Sequence, residues 1–321
     1  MKKESNVLYY LMLFMAPVMW GGTFTAAKYV VMELHPLVGA SLRFMISFLF
    51  LLPILLKREG VRSLPSRKDL PILAFLGLTG IFLYNIGFFY GMETAAATDG
   101  ALVVASGPVV TAILSVLLLK EKFSFRQGIG FLLCFLGVTT IVAKGSWTVI
   151  ATWAVNHGDL LLFGSAVSFA FYTVAGKKAM ARVSPMASTT FATGFGALML
   201  TLLALPYYSW NEITRVSMPA VMGLLYLAIL GSGVAFLFWF FGVNRVGAGT
   251  GAVFINFVPV WSAITAMVFL DERLALYHLV GAALIISGVY LVTAKKKRAA
   301  EVGKDELEEV AVGKRAGGRK Q

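Results

Sequence analysis

Charge is scarce in this sequence. Only 14% of its 321 residues are Asp, Glu, Lys or Arg, against 58% hydrophobic residues and a mean hydropathy of +0.80. A soluble domain carries about 25% charged and 45–50% apolar residues. So little charge cannot cover the surface of a soluble chain this long, which excludes an ordinary cytosolic enzyme. Disorder is excluded too, because it needs low hydrophobicity. Cys134 is the single cysteine, so there is no intramolecular disulfide and no cysteine metal cluster. No G-x-x-x-x-G-K-[ST] loop occurs, and with it goes an ATP-driven pump. H-E-x-x-H and G-x-S-x-G are also missing. His35, His157 and His278 stand at the ends of apolar runs, far apart in sequence. Ser106 and Ser232 lie beside glycines and read as small helix-packing residues. With no acid–base cluster in view, neither catalysis nor a metal or cofactor is expected.

What is present is apolar runs of membrane length. A bilayer core of about 30 Å takes roughly 20 apolar residues per helix. Such runs fall at 8–30, 37–56, 71–92, 101–119, 127–143, 158–176, 186–206, 219–241, 250–269 and 276–294, with short polar joints. The expected fold is an all-α integral membrane protein of ten transmembrane helices. A β-barrel would alternate apolar and polar residues, and runs such as 131–142 and 282–292 do not.

The net charge of +12 raises nucleic acid as a partner, but the positions of the cations argue otherwise. Eighteen Lys and Arg lie at the amino end, at alternate joints and just after the last run, against Lys144, Arg215 and Arg273 on the other side. Cations collect in short cytoplasmic loops, so both termini are expected in the cytoplasm. Topology and anionic lipid contact then explain the charge, and no nucleic acid is expected. Lys2 and Lys3 before an apolar run resemble a signal peptide, but this run has a partner in the second half and is expected to stay. Residues 295–321 read as a disordered cytoplasmic tail, with a short helix expected at Lys304–Val312.

The chain repeats internally. Trp20–Lys28 matches Phe169–Lys177 at an offset of 149, shared by Pro36 and Pro185. Tyr90-Gly91, Pro108 and Lys120-Glu121-Lys122 match Phe241-Gly242, Pro259 and Asp271-Glu272-Arg273 at an offset of 151, as do Gly130/Gly281 and Gly137/Gly288. Two repeats, 8–143 and 158–294, each hold five runs, an odd number, so the second must lie inverted relative to the first. Inverted halves around a midplane site are a transporter design, and one that works by alternating access.

The Trp20-Gly-Gly-Thr-Phe block, Arg43-Phe44, the alanine-rich Thr94–Ala101 segment, Pro108 and Leu118-Leu119-Lys120-Glu121-Lys122 resemble the EamA domain of the drug/metabolite transporter superfamily. His157-Gly158-Asp159 through Leu270-Asp271-Glu272-Arg273 resembles a second copy. Arg245 departs from a position that is apolar or small in many members. The resemblance implies an inner-membrane permease that exports small metabolites such as amino acids.

Charges within a span are functional candidates. Arg43 lies about six residues, or ~9 Å, into the second run, and its repeat partner is Ala192. It is either a docking point for a substrate carboxylate or phosphate, or one half of a structural ion pair with Glu33, Glu93 or Asp99. Lys28 either snorkels to the interface or lines the mouth. Glu93 and Asp99 flank the turn between the third and fourth runs, as coupling or gating candidates that pair with Lys28 or Arg43 or as a solvated turn. Glu121 and Glu272 read as helix-end structural residues beside cations. The remaining solute-binding candidates are Trp20, Thr23, Tyr84, Asn85, Tyr172, Trp239 and Asn256, each with a helix-packing or interfacial alternative. The small residues 247–251 and 95–101 read as helix packing, with a homodimer face as the alternative. The expected partners are membrane lipids and a small-molecule solute bearing a carboxylate and an apolar part, an amino acid or a relative. A phosphorylated metabolite or nucleotide sugar, which would need several cations, and a non-transporting receptor or scaffold remain as alternatives.

Overall fold

The computed structural model describes residues 7–119, 125–151, 155–179, 182–246, 254–255 and 257–293. Asn256, Lys120-Glu121-Lys122, the 247–251 small-residue run and the 295–321 tail with its expected 304–312 helix lie outside the described residues.

Among the described residues all regular structure is helical. In lipid no water meets an open backbone group, so a helix, which bonds its own N–H and C=O groups, is the form these apolar runs must take. The helices are α1 (Val7–Val31), α2 (Pro36–Glu59), α3 (Leu70–Thr94), α4 (Ala97–Val104, continuing as Gly107–Leu119), α5 (Phe125–Val142) and α6 (His157–Ala179). They continue as α7 (Pro185–Ala204), α8 (Met218–Leu225, Tyr226–Val234 and Ala235–Val246), α9 (Val258–Phe269) and α10 (Leu276–Thr293). Eight of these, α1 to α8, are long and apolar enough to cross a membrane; α9 and α10 are shorter apolar helices. Pro36 and Pro185, one repeat apart, each occupy the first turn of a helix. There a missing N–H is harmless, and His35 and Ser184 cap the free amides of Leu37 and Ala187.

Some boundaries differ from expectation: α8 runs on to Val246 rather than 241, and α9 is described from Val258 rather than 250. The fourth helix begins at Ala97 rather than 101. Hydropathy discounts Thr98 and Asp99, yet they are 2% and 1% exposed, because the Glu272 carboxylate takes the amides of Ala97 and Thr98 at 2.7 and 3.1 Å. Glu272 therefore is a helix-end residue, but for a helix in the other half of the chain.

The packing has a regular plan. α5 lies along α10, α2 along α7, α3 along α6 and α1 along α8, while α4 meets α6 and α9 and α1 meets α9. Exchanging each helix for the one five places away maps this set onto itself. The α5–α10 seam is close: a Cβ on Gly137 would lie 2.9 Å from the Gly281 carbonyl oxygen, and one on Gly288 2.6 Å from that of Gly130. Only glycine permits this approach.

α3 and α8 share an interruption. Gly77–Leu83 and Tyr226–Val234 are wound as π-helix, whose wider turns disturb the regular ladder and recur at functional sites. Neighbouring helices bond to these stretches. Ser168 of α6 donates to the Thr79 carbonyl at 2.7 Å, and Trp20 of α1 donates from Nε1 to the Gly231 carbonyl at 3.0 Å.

Candidate functional site

Arg43 stands in the second turn of α2 and is 7% exposed. Its Nε donates to Ser232 Oγ at 3.0 Å and its Nη1 to Asn85 Oδ1 at 3.4 Å. Ser232 belongs to the π stretch of α8, and Asn85 follows that of α3. One cation on α2 thus ties the two interrupted helices together. Its guanidinium carbon lies 4.9 Å from the centre of the Phe44 ring and 5.7 Å from that of Phe88, placements that favour a desolvated cation.

Among the described residues no carboxylate pairs with Arg43. Of the acids named as its structural partners, two are engaged elsewhere. Glu33 accepts from the Ser217 backbone N–H and hydroxyl, Asp99 stands 3.1 Å from His278 Nε2, and Glu93 offers only its carbonyl, 3.5 Å from Lys28 Nζ. Guanidinium carries five N–H donors, and two are engaged here.

The other candidates divide into groups. Asn85, 1% exposed, also donates from Nδ2 to the Ile81 carbonyl at 2.7 Å. Tyr84 is within electrostatic reach of Arg43 and stacks on Phe88. Thr23, 6% exposed, donates to the Trp20 carbonyl, and its methyl group packs against Gly231. Trp20 and Trp239 pack with ring centres 5.5 Å apart. Tyr172 belongs to a different seam, its ring against Gly80 of α3. Lys28, Glu93 and Asp99 stand at the end of the bundle that holds the α1–α2 turn, away from the Arg43 group. Asn256 lies outside the described residues.

Sequence reasoning read Ser232 as a packing residue, and the structure corrects this: its hydroxyl meets Arg43. Phe88, Asp159 and His278 were also missed as members of polar sites. The histidine was set aside because it stands at the end of an apolar run, far in sequence from the other two histidines, although the fold brings Asp99 to it.

Two of the bundle's hollows carry charged side chains. One of about 300 Å³ is lined by Glu33, Asn211, Arg215 and Val216. The other, of about 420 Å³, includes Glu59, Asp69, Arg182 and Ser184, and Arg182 Nε pairs there with Asp69 at 3.3 Å. Arg43 lines neither.

These features define a multi-pass helical membrane protein with a buried cation where two interrupted helices meet, one that pairs with no carboxylate among the described residues. The sequence matches the EamA-like transporter family over residues 7–143 and 156–294, and the chain belongs to that family, within the drug/metabolite transporter superfamily. In bacteria such a protein resides in the inner membrane. It is 30% identical over 287 residues to the uncharacterized transporter YyaM of Bacillus subtilis, covering 89% of this chain and 93% of that one. A probable terminal-alkyne amino-acid exporter of Streptantibioticus cattleyicolor is 27% identical over 283 residues, covering 88% of this chain and 92% of the other. A protein of known crystal structure, 22% identical, shares the fold with a TM-score of 0.63 over 91% of this chain and 98% of that chain. The family and the two named relatives are transporters by name.

Proposed function

We propose that this protein is a permease of ten spans, arranged as two inverted five-helix halves with both termini in the cytoplasm. It moves a small metabolite with a carboxylate and an apolar part outward by alternating access. Arg43 carries this reading: it is buried, has no carboxylate partner among the described residues, and retains unused N–H groups where the two π stretches converge. A substrate carboxylate supplies the planar acceptor that guanidinium geometry favours. Phe44 and Phe88 beside it suit an apolar side chain. The helix-pairing plan, unchanged when the halves are exchanged, supports the inverted repeat, and the matching π stretches supply one deformable point in each half. An amino acid or a relative is the favoured substrate, a reading the name of the Streptantibioticus exporter supports. Phosphorylated substrates ask for several cations, and Lys28 stands apart from Arg43.

The test is flux in liposomes containing the purified protein. Labelled amino acids and related carboxylates are expected to move, and Arg43→Ala to slow them sharply. The reading fails if a broad metabolite panel shows no flux while a lipid or a cationic dye is moved.

A further inference from the structure

We propose that Asp159, Asp99 and His278 form a proton-binding site that holds one end of the bundle shut. Asp159 is the third residue of α6, 0% exposed, and neither carboxylate oxygen meets a hydrogen-bond donor. Asp99 is the third residue of α4, 1% exposed, with Oδ1 3.1 Å from Nε2 of His278, the third residue of α10. Three helices drawn from both halves of the chain therefore converge on titratable groups.

The ordinary explanation for an acid in a first helical turn is that it caps the helix, and here it fails twice. At α6 the Asn156 side chain takes the Gly158 amide at 2.9 Å. At α4 Glu272 takes the Ala97 and Thr98 amides. Each acid stands inside a helix start that another residue already caps. A buried, unpartnered carboxylate is costly when charged and tolerable when neutral, so a proton is the ligand that completes this site. Among the described residues no three His, Cys, Asp or Glu side chains converge closely enough to hold a metal ion.

The charged and titratable groups facing the site come from every side. Lys28 of α1 and Lys144 after α5 act on Asp159, and Lys144 and Glu272 act on both Asp99 and His278. Tyr277 of α10 faces both aspartates. The Ala275 amide donates to His278 Nδ1 at 2.8 Å, and the other ring nitrogen, Nε2, faces Asp99. The same end is sealed by Glu33 on Ser217 and by Tyr29 on the Phe269 carbonyl. Moving α4 away from α6 and α10 would admit water. The O–H bond of the neutral acid then breaks, its proton passes to bulk water, and the hydrated carboxylate remains. By linkage, proton binding favours the sealed state and proton loss the open one. The regulatory meaning rests on the transporter reading; the proton site itself does not.

The test needs no substrate. Full-length protein in lipid nanodiscs is titrated with acid and base while infrared difference spectra follow the C=O stretch of protonated carboxyl groups. Hydrogen exchange of residues 97–104 is measured in parallel. Raising the pH is expected to remove a carboxyl band and to accelerate exchange in that segment. In Asp159→Asn, an uncharged mimic of the neutral acid, that band is lost and exchange stays slow at every pH. Asp99→Asn and His278→Gln are expected to shift the titration, and they keep the test decisive if Asp159→Asn fails to fold, recognised by fast exchange in α5 and α10 as well. The proposal is overturned if none of the three changes the band, or if exchange at 97–104 is pH-independent in the wild type. It is equally overturned if the transition follows sodium at constant pH. Should the band behave as expected while no metabolite moves in liposomes, the transport reading fails and the proton site stands.

Discussion

The two halves of this protein agree in backbone and disagree in chemistry. α3 and α8 carry π stretches at matching places, and in each case a side chain from the neighbouring antiparallel helix bonds to a carbonyl of the stretch. The donors differ, a serine in one seam and a tryptophan in the other. At the site the agreement ends: Arg43 on α2 has Ala192 as its counterpart on α7. A symmetric backbone offers two arrangements of similar energy, which alternating access requires. On the proposed reading, a single asymmetric cation would give the pathway a substrate preference without disturbing that balance.

The largest effect is expected where the asymmetry lies. Arg43→Ala should lower flux by about 30- to 150-fold, the equivalent of about 2–3 kcal/mol from lost charge-assisted hydrogen bonds. Its melting temperature should hold or rise, since a buried cation without a carboxylate partner is not a stabilising element. Adding Ala192→Arg to that variant should restore nothing in the flux assay. Recovery there would mean that the halves are chemically equivalent and the comparison is wrong.

The shared backbone is tested next. Leucine at Gly137 or Gly288 should destabilise the protein by about 1–3 kcal/mol or more, seen as a lower melting temperature and a smaller monodisperse yield. The two variants should match each other, because they probe corresponding contacts of one seam. Unequal losses would argue against a two-fold relation between the halves.

Smaller effects should separate the two π stretches. Trp20→Phe and Ser168→Ala each remove one bond to a carbonyl, worth about 0.5–2 kcal/mol in a membrane interior. Both should lower the melting temperature. Only Trp20→Phe should also raise KM, since its acceptor Gly231 adjoins Ser232.

The smallest effect concerns the sealed end. The Ser217 hydroxyl and amide hold the Glu33 carboxyl below its ordinary value of 4.5. A depressed carboxylate stabilises the fold above its unfolded value, and that contribution is lost as pH falls through the folded value. Melting curves from neutral pH down into the acid range should therefore show a slightly smaller acid-induced drop for Glu33→Gln than for the wild type. An identical drop would remove Glu33 from the contacts that matter.

Most of the helical plan was legible because it follows from composition. Apolar runs in lipid have few alternatives, and the positions of Pro36 and Pro185 marked helix starts that the structure reproduces. Arg43 and Asn85 were legible as polar residues inside apolar runs, for which lipid gives no other account. Their arrangement was not. Ser232 looked like any small residue beside glycine, and only the approach of α2 to α8 gives its hydroxyl a partner. Asp159 and His278 are 119 residues apart in sequence, and periodicity within one helix says nothing about which helix will face it. Glu272 illustrates the same limit: its sequence context pointed to its own helix end, while the amides it serves lie on α4.

The glycine seam between α5 and α10 has a consequence in time. Its two helices begin 151 residues apart, at Phe125 and Leu276. At a synthesis rate of about 5–20 residues per second, α5 waits roughly 8–30 s in the membrane before its partner is made. Throughout that interval its glycine face is open to lipid and to any other helix with a small-residue stripe. The first half of this chain can therefore enter the bilayer early, but it finishes folding only when the second half arrives.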